Sequence, residues 1–181
     1  MALQQANMPA GSASVRNGGG IEGAVRVAEK LQFITFTLDA EEYGVDIMMV
    51  REIKGWAATT RIPNAPPHVR GVINLRGVII PIFDLKARFG IGLTDPTKVN
   101  VVIIVHTGAR TVGLLVDTVS DIISVEPGAI RPVPEMGTQS EDNFIDGLVA
   151  LDDRMVTLVS LSGLFRDKAE PSLYADNRLS Q

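Results

Sequence analysis

The sequence predicts an all-β protein built as two similar lobes, and three observations carry that reading. Residues 70–85, RGVINLRGVIIPIFDL, are two runs rich in valine and isoleucine on either side of a tight turn at Asn74-Leu75-Arg76-Gly77, the pattern of a β-hairpin. A shift of 76 positions lays residues 71–89 on 147–165 without a gap. Gly71, Val72, Ile73, Leu75, Ile79, Ile80, Ile82, Leu85 and Phe89 then face Gly147, Leu148, Val149, Leu151, Met155, Val156, Leu158, Leu161 and Phe165. A second shift, of 69, lays Phe33, Ile34 and Phe36 on Val102, Ile103 and Val105, and Gly44, Ile47, Val50, Glu52 and Ile53 on Gly113, Val116, Val119, Asp121 and Ile122. Both shifts keep chain order, so the chain reads as two small antiparallel units, each of about five short strands and one helical turn. Strands this short must close into barrels or sandwiches to bury their faces.

Taken in order, residues 1–30 are rich in Ala, Gly, Gln, Ser and Asn at their start and lack a periodic apolar pattern, which predicts a flexible tail. Residues 33–38 alternate as a strand, 39–42 form a polar turn, and 43–47 begin the returning strand. Residues 48–56 continue as extended chain or one helical turn until Gly55, and 62–67, with three prolines, form a loop or edge segment. After the 70–85 hairpin, Asp84 caps a short helix that Gly90 ends. Residues 100–106 and 110–116 form a further hairpin, 119–125 a strand, and 127–142 the longest irregular stretch. The last hairpin turns at Asp152-Asp153-Arg154, with Ser160 standing as a cap where Asp84 stood; residues 169–181 are a polar tail. The ordered domain is therefore expected over residues 31–168.

Composition excludes several classes of function. The net charge of −4 and the 5% of aromatic residues leave neither a basic surplus for phosphates nor many rings for bases to stack on. The absence of cysteine removes disulfides, thiolate metal sites and thiol nucleophiles together. No apolar run approaches the roughly 20 residues that span a bilayer, and no secretory core follows a basic start, so cytoplasmic residence is the expectation. His68 and His106 lie in different segments and make no zinc site; the acidic residues at 39–42 and 152–153 sit in turns, where solvated surface is their role. The glycines at 18–23 precede no nucleotide-binding unit, and no Ser-His-Asp arrangement has local support. No catalytic residue, cofactor or metal is expected.

The repeat also separates what the fold demands from what it permits. Positions apolar in both copies, Ile79, Ile80 and Ile82 among them, read as core. Arg76 faces Asp152, a reversal of charge at the same turn, so the fold itself does not require this arginine. Its planar fork suits a partner carboxylate or carbonyl.

Three segments, EEYGVDIMMVREIKGW, TRIPNAPPHVRGVINLRGVIIPIFDL and RTVGLLVDTVSDIISV, in this order and spacing resemble the CheW family of chemotaxis coupling proteins, over residues 31–168. The resemblance implies two SH3-like five-stranded barrels around a shared hydrophobic seam, with short helices after the hairpins. It implies a non-catalytic adaptor linking the cytoplasmic tip of methyl-accepting receptors, held in a groove between the barrels, to the regulatory domain of the histidine kinase CheA, at receptor arrays near the inner membrane. Family positions associated with receptor or kinase coupling fall on Val50, Glu52, Gly71, Arg76, Val101 and Ile122. Beside that role stands a plainer reading of each. Val50, Val101 and Ile122 suit a core; Glu52 and its counterpart Asp121 suit a shared turn or ion pair; Gly71, repeated at Gly147, suits a bulge or close packing. Two alternatives stay open: a coupling protein of a related chemosensory pathway, and a small-molecule-binding β-barrel, which would need convergent polar groups in a pocket.

Overall fold

The β-branched and aliphatic runs form ten strands in the computed structural model, which describes residues 29–108, 110–134 and 144–165. The tails expected at 1–30 and 169–181 lie outside those residues except for Glu29 and Lys30, as does most of the irregular stretch after Pro134. In order come β1 (Leu31–Leu38), β2 (Glu41–Asp46), a 3-10 turn (Ile47–Met49), β3 (Val50–Gly55), β4 (Val69–Leu75), β5 (Val78–Asp84) and α1 (Leu85–Arg88). The second half follows with β6 (Val101–His106), β7 (Thr111–Val116), β8 (Thr118–Val125), a 3-10 turn (Pro127–Ala129), β9 (Ile145–Leu151), β10 (Arg154–Val159) and α2 (Leu161–Leu164).

The two repeats are not the two lobes. One five-stranded sheet runs β8-β1-β2-β10-β9 and the other β3-β6-β7-β5-β4. Each repeat therefore supplies its first hairpin to one sheet and its last three strands to the other. The repeat shifts convert one sheet into the other pair for pair: Ile34↔Ile122 corresponds to Ile53↔Ile103, Ile73↔Ile80 to Val149↔Val156, and Ile103↔Leu114 to Ile34↔Val45. The expectation of purely antiparallel units is corrected as well. Each sheet contains one parallel pair, β5 with β7 (Ile82↔Gly113) and β2 with β10 (Leu158↔Gly44), where strands from different repeats meet. A glycine stands at both junctions because a Cβ on Gly113 would collide with the Ile82 and Val102 side chains, and one on Gly44 would lie 3.0 Å from Leu158 Cδ2.

Three apolar clusters follow from the alternation of side chains along the strands. Ile80, Ile82, Val102, Ile104 and Leu115 fill the second barrel, with Trp56, Ile73 and Leu75 against them. Phe33, Ile123, Val125, Val149, Val156 and Leu158 fill the first. The opposite faces of the same strands, with Phe36, Leu38, Phe83, Ile103, Val105 and Leu114 at the centre, make a larger seam between the sheets. At about 1.5–3 kcal/mol for each fully buried aliphatic or aromatic side chain, this seam is the main term holding the lobes together. Ile80 and Ile82 are core as expected, but Ile79 is not: it is 54% exposed, as its counterpart Met155 also is. It points to the face of β5 opposite Ile80, close to the turn, where none of the three clusters reaches.

Polar groups close what the apolar clusters leave open. The segment before β4 joins the edge of its sheet, with Thr60 N–H donating to Val72 O (2.9 Å) and Val72 N–H to Thr60 O (2.8 Å); Arg131 and Leu148 do the same in the first sheet. The buried Asp84 carboxylate accepts from the Lys86 and Ala87 amides (3.1 and 3.3 Å) and from the Thr94 amide and hydroxyl (2.9 and 2.8 Å), capping α1 as expected and pinning the connector beyond it. Ser160 caps α2 by accepting from Gly163 N–H at 3.3 Å. Lys86 pairs with both Asp39 and Asp117.

These bonds set two expectations. Asp84→Ala removes a cap and strands the Thr94 donors, so it lowers stability by about 3 kcal/mol, against about 1 kcal/mol for Ser160→Ala, in urea denaturation with unchanged slope. Hydrogen bonds from Asp117 and Asp39 raise the Lys86 pKa above its usual 10.5 despite desolvation, and burial, followed by Glu41 and Asp39, raises that of Tyr43 above 10.0. In the unfolded chain both groups lose their protons first as pH rises, so their contribution is complete below about pH 10 and falls above it. Chemical denaturation at pH 8 and pH 11 measures this loss, and Lys86→Met makes it smaller.

Candidate functional site

The candidate site grows from the β4–β5 turn. Leu75 pairs with Val78, which leaves Arg76 and Gly77 as a two-residue loop, and the Asn74 side chain accepts from Gly77 N–H at 2.8 Å. Both loop residues have positive φ, 52° and 88°, as a tight hairpin of this twist requires. Gly77 adopts this at no steric cost. Arg76 does not, since a non-glycine residue in the left-handed region loses about 1–2 kcal/mol. The corresponding Asp152 also has positive φ (47°), so the backbone of the tip is repeated although its charge is reversed. Aspartate tolerates this conformation better than arginine does.

Arg76 extends from the tip with its side chain 76% exposed, and its Nη2 donates to Glu52 Oε2 at 2.8 Å. Glu52 lies on β3 where the β3–β6 register shifts, so the pair links the β3 edge to the hairpin at the other edge of the same sheet. Asp121, the counterpart of Glu52, instead accepts from Ile122 N–H at 2.7 Å and joins none of the described ion pairs. The shared acid thus serves a different purpose in each copy. An arginine with one carboxylate bonded still has donors to offer a partner.

The remaining expected residues divide by burial. Val50 and Val101 are half-buried against the seam, which favours the core role for their side chains. Ile122 is not core: it is 51% exposed although it pairs with Ile34, because β8 is an edge strand. Gly71 is a backbone requirement, with φ 129°, a register shift beside it and the Thr60 carbonyl where a Cβ would stand. Gly147 is crowded by Ile130 and the Arg131 carbonyl in the same way. Val50, Glu52, Gly71, Arg76 and Val101 all belong to the β3-to-β4 sheet, and Ile122 alone to the other. Within this set only Glu52 and Arg76 bond through their side chains among the described residues.

Several exposed apolar residues escaped the sequence reading, three of them on the strands that carry Glu52 and the Arg76 hairpin. Val78 and Ile79 follow Arg76 and Gly77 on the same hairpin, and Ile53, the repeat counterpart of Ile122, is exposed on β3. The signal for Ile79 was present, since Ile80 and Ile82 occupy the inward positions of a strand with period two and Ile79 must point the other way. A tip bearing an arginine beside exposed apolar residues has the composition of an interface centre rather than of solvated surface.

A model of the CheW-like domain matches residues 32–169. The chain is 44% identical over 136 residues to the probable chemotaxis protein CheW of Rhizobium etli, covering 75% of this chain and 88% of that protein. It is 42% identical to the chemotaxis protein CheW of Klebsiella aerogenes, covering 81% and 87%. Among solved structures, the scaffolding protein TtCheW from Thermoanaerobacter tengcongensis superposes with a TM-score of 0.70 at 37% identity, over 78% of this chain and 91% of that one.

The site carries its own expectation. In a double-mutant cycle on stability, Glu52→Ala and Arg76→Ala each change the folding free energy by less than about 1 kcal/mol, since the arginine end of the pair is exposed to solvent. Gly71→Ala, which must displace the Thr60 carbonyl, costs clearly more in the same denaturation series, about 2–4 kcal/mol.

Proposed function

The chain belongs to the CheW-like domain family and is an adaptor of chemotaxis signalling, and on that premise we propose that it couples the cytoplasmic tip of methyl-accepting receptors to the regulatory domain of CheA. Arg76, on its strained hairpin tip, is the central contact, Val78 and Ile79 supply apolar area beside it, and Glu52 sets the direction of the guanidinium. Val50, Val101 and Gly71 act by holding the sheet that presents this tip, whereas Ile122 offers a contact of its own from the other sheet. The work is done at the cytoplasmic face of receptor arrays. Among the described residues no helix is long and apolar enough to cross a membrane, so the receptors supply the anchorage.

The observation that carries this reading is the left-handed Arg76. A residue poorly suited to its backbone, repeated as a better-suited aspartate in the other copy, is held for a reason outside the hairpin. Exposed ion pairs contribute too little to stability to supply that reason. A binding role does, because one truncated arginine at the centre of an interface typically costs 2 kcal/mol or more, about thirtyfold in affinity. Several modest contacts of this kind gain strength when receptors and kinases are arrayed together.

Pull-downs with a purified receptor cytoplasmic fragment and with the CheA regulatory domain, each alone, test the adaptor role, and both are captured. Arg76→Glu keeps the fold and loses about thirtyfold in affinity for one of the two partners, with receptor-dependent kinase activation falling accordingly. The exchange Glu52→Arg with Arg76→Glu restores the ion pair without restoring binding if the guanidinium itself meets the partner. Capture of neither partner by the wild-type chain, or a folded Arg76→Glu protein that activates the kinase normally, overturns the proposal.

A further inference from the structure

The two repeats differ in what covers the ground between their helical turn and the strand that pairs beside it. In the first, residues 90–99 lead from α1 to β6 and are fastened along the way. Ile91 N–H donates to Lys86 O at 2.9 Å, and the Thr94 amide and hydroxyl donate to the Asp84 carboxylate at 2.9 and 2.8 Å. Further on, the Thr97 amide donates to Asn100 Oδ1 at 2.7 Å, and Asn100 Nδ2 donates to Val116 O and to Asp117 Oδ1, both at 3.3 Å. Thr94 and Asn100 are buried as a result, each 5% exposed.

The shift of 76 carries α1 onto α2 and that of 69 carries β6 onto β1, so the corresponding ground lies between Phe165 and Leu31. Among the described residues it is open. Leu31, the counterpart of Asn100, is 40% exposed, and Met48, the counterpart of Asp117, is 83% exposed. The platform beneath is nevertheless firm, because Arg88 Nη2 donates to Leu164 O at 3.2 Å and Arg110 Nη2 to Phe165 O at 3.4 Å.

The shift of 69 continues upstream of Leu31 and lays residues 21–30 on 90–99. Gly23 falls on Gly92, whose φ of 150° favours glycine. Val25 falls on Thr94, and by the other shift Ser160 falls on Asp84. The last two replacements match each other. Asp84 has two oxygens, one accepting from the Thr94 amide and the other from its hydroxyl, whereas serine has one oxygen and valine no hydroxyl. Ser160 Oγ accepts from Gly163 N–H and bonds Ser162 Oγ; by donating its own proton to Ser162 it keeps a lone pair for one more amide.

We infer that residues 21–28 of this same chain dock against α2 and the start of β1, with the Val25 amide donating to Ser160 Oγ as Thr94 donates to Asp84. The segment is tethered at Leu31, where the chain enters β1, so it meets this surface at a high effective concentration that no separate molecule matches. Leu31 becomes covered, as Asn100 is in the other copy. The folded domain then begins at residue 21, in place of the flexible tail that composition predicts up to residue 30.

Amide hydrogen exchange followed by NMR on the full chain tests this. The Val25 amide exchanges about tenfold more slowly than an unprotected one, the effect of a hydrogen bond worth about 1.4 kcal/mol. Ser160→Ala, which removes the acceptor, and Gly23→Val, which bars the backbone conformation, each abolish that protection. Because the chain has no cysteine, proximity can be read separately: Val25→Cys with Ser160→Cys closes a disulfide under mild oxidation, and Ala13→Cys with Ser160→Cys does not. An unprotected Val25 amide in the wild-type chain, protection that survives in either folded variant, or equal cross-linking from positions 25 and 13 overturns the inference.

Discussion

Each sheet is completed by a parallel pair of strands that come from different halves of the chain, β5 on β7 and β2 on β10, and the rest of the architecture depends on that junction. Because neither repeat can close a barrel with its own strands, the first hairpin of each must cross to the other sheet. Crossing brings both faces of β1, β6 and β7 under cover, one in a barrel and one in the seam, so these strands are buried almost throughout. Gly44 and Gly113 are the steric condition for the junction, since Leu158 and Ile82 occupy the space a side chain would need.

An intertwined fold of this kind makes the two lobes interdependent in energy but leaves their surfaces free to diverge. The buried seam contributes many times what any exposed ion pair can, so the repeat is kept in apolar positions and relaxed in charged ones. Arg76 against Asp152, Glu52 against Asp121 and Lys86 against Ser162 are all divergences of this kind. An adaptor profits from the arrangement: one folded unit presents two unlike faces, and the buried seam between the sheets joins them. The contacts offered by the β3-to-β4 sheet and by Ile122 on the other sheet fit that division.

Much of this was legible in the residues. The ten strands, the caps at Asp84 and Ser160, the duplication and the special standing of Arg76 all follow from local patterns: period-two hydrophobicity, turn residues, and comparison of the two copies. The role of Gly71 as a backbone requirement was also visible, because the glycine recurs at 147 whatever side chains surround it. The bond between Glu52 and Arg76 was not, since it joins two segments that only sheet closure brings together. The exposure of Ile122 was hidden for a related reason: its apolar character and spacing match a core position, and only its place on an edge strand leaves it open to water.

By itself, then, the sequence determined which segments are strands, where they turn and that the unit is built twice, because those properties reside in side-chain alternation and in the conformational limits of glycine, proline and capping residues. Which strands share a sheet was decided only in three dimensions. A repeat matched to itself is consistent with two separate barrels or with two interlaced ones, and the local signals are identical in both. The choice falls to burial summed over distant segments: interlacing covers the second face of the central strands, and no stretch of the chain records that gain on its own.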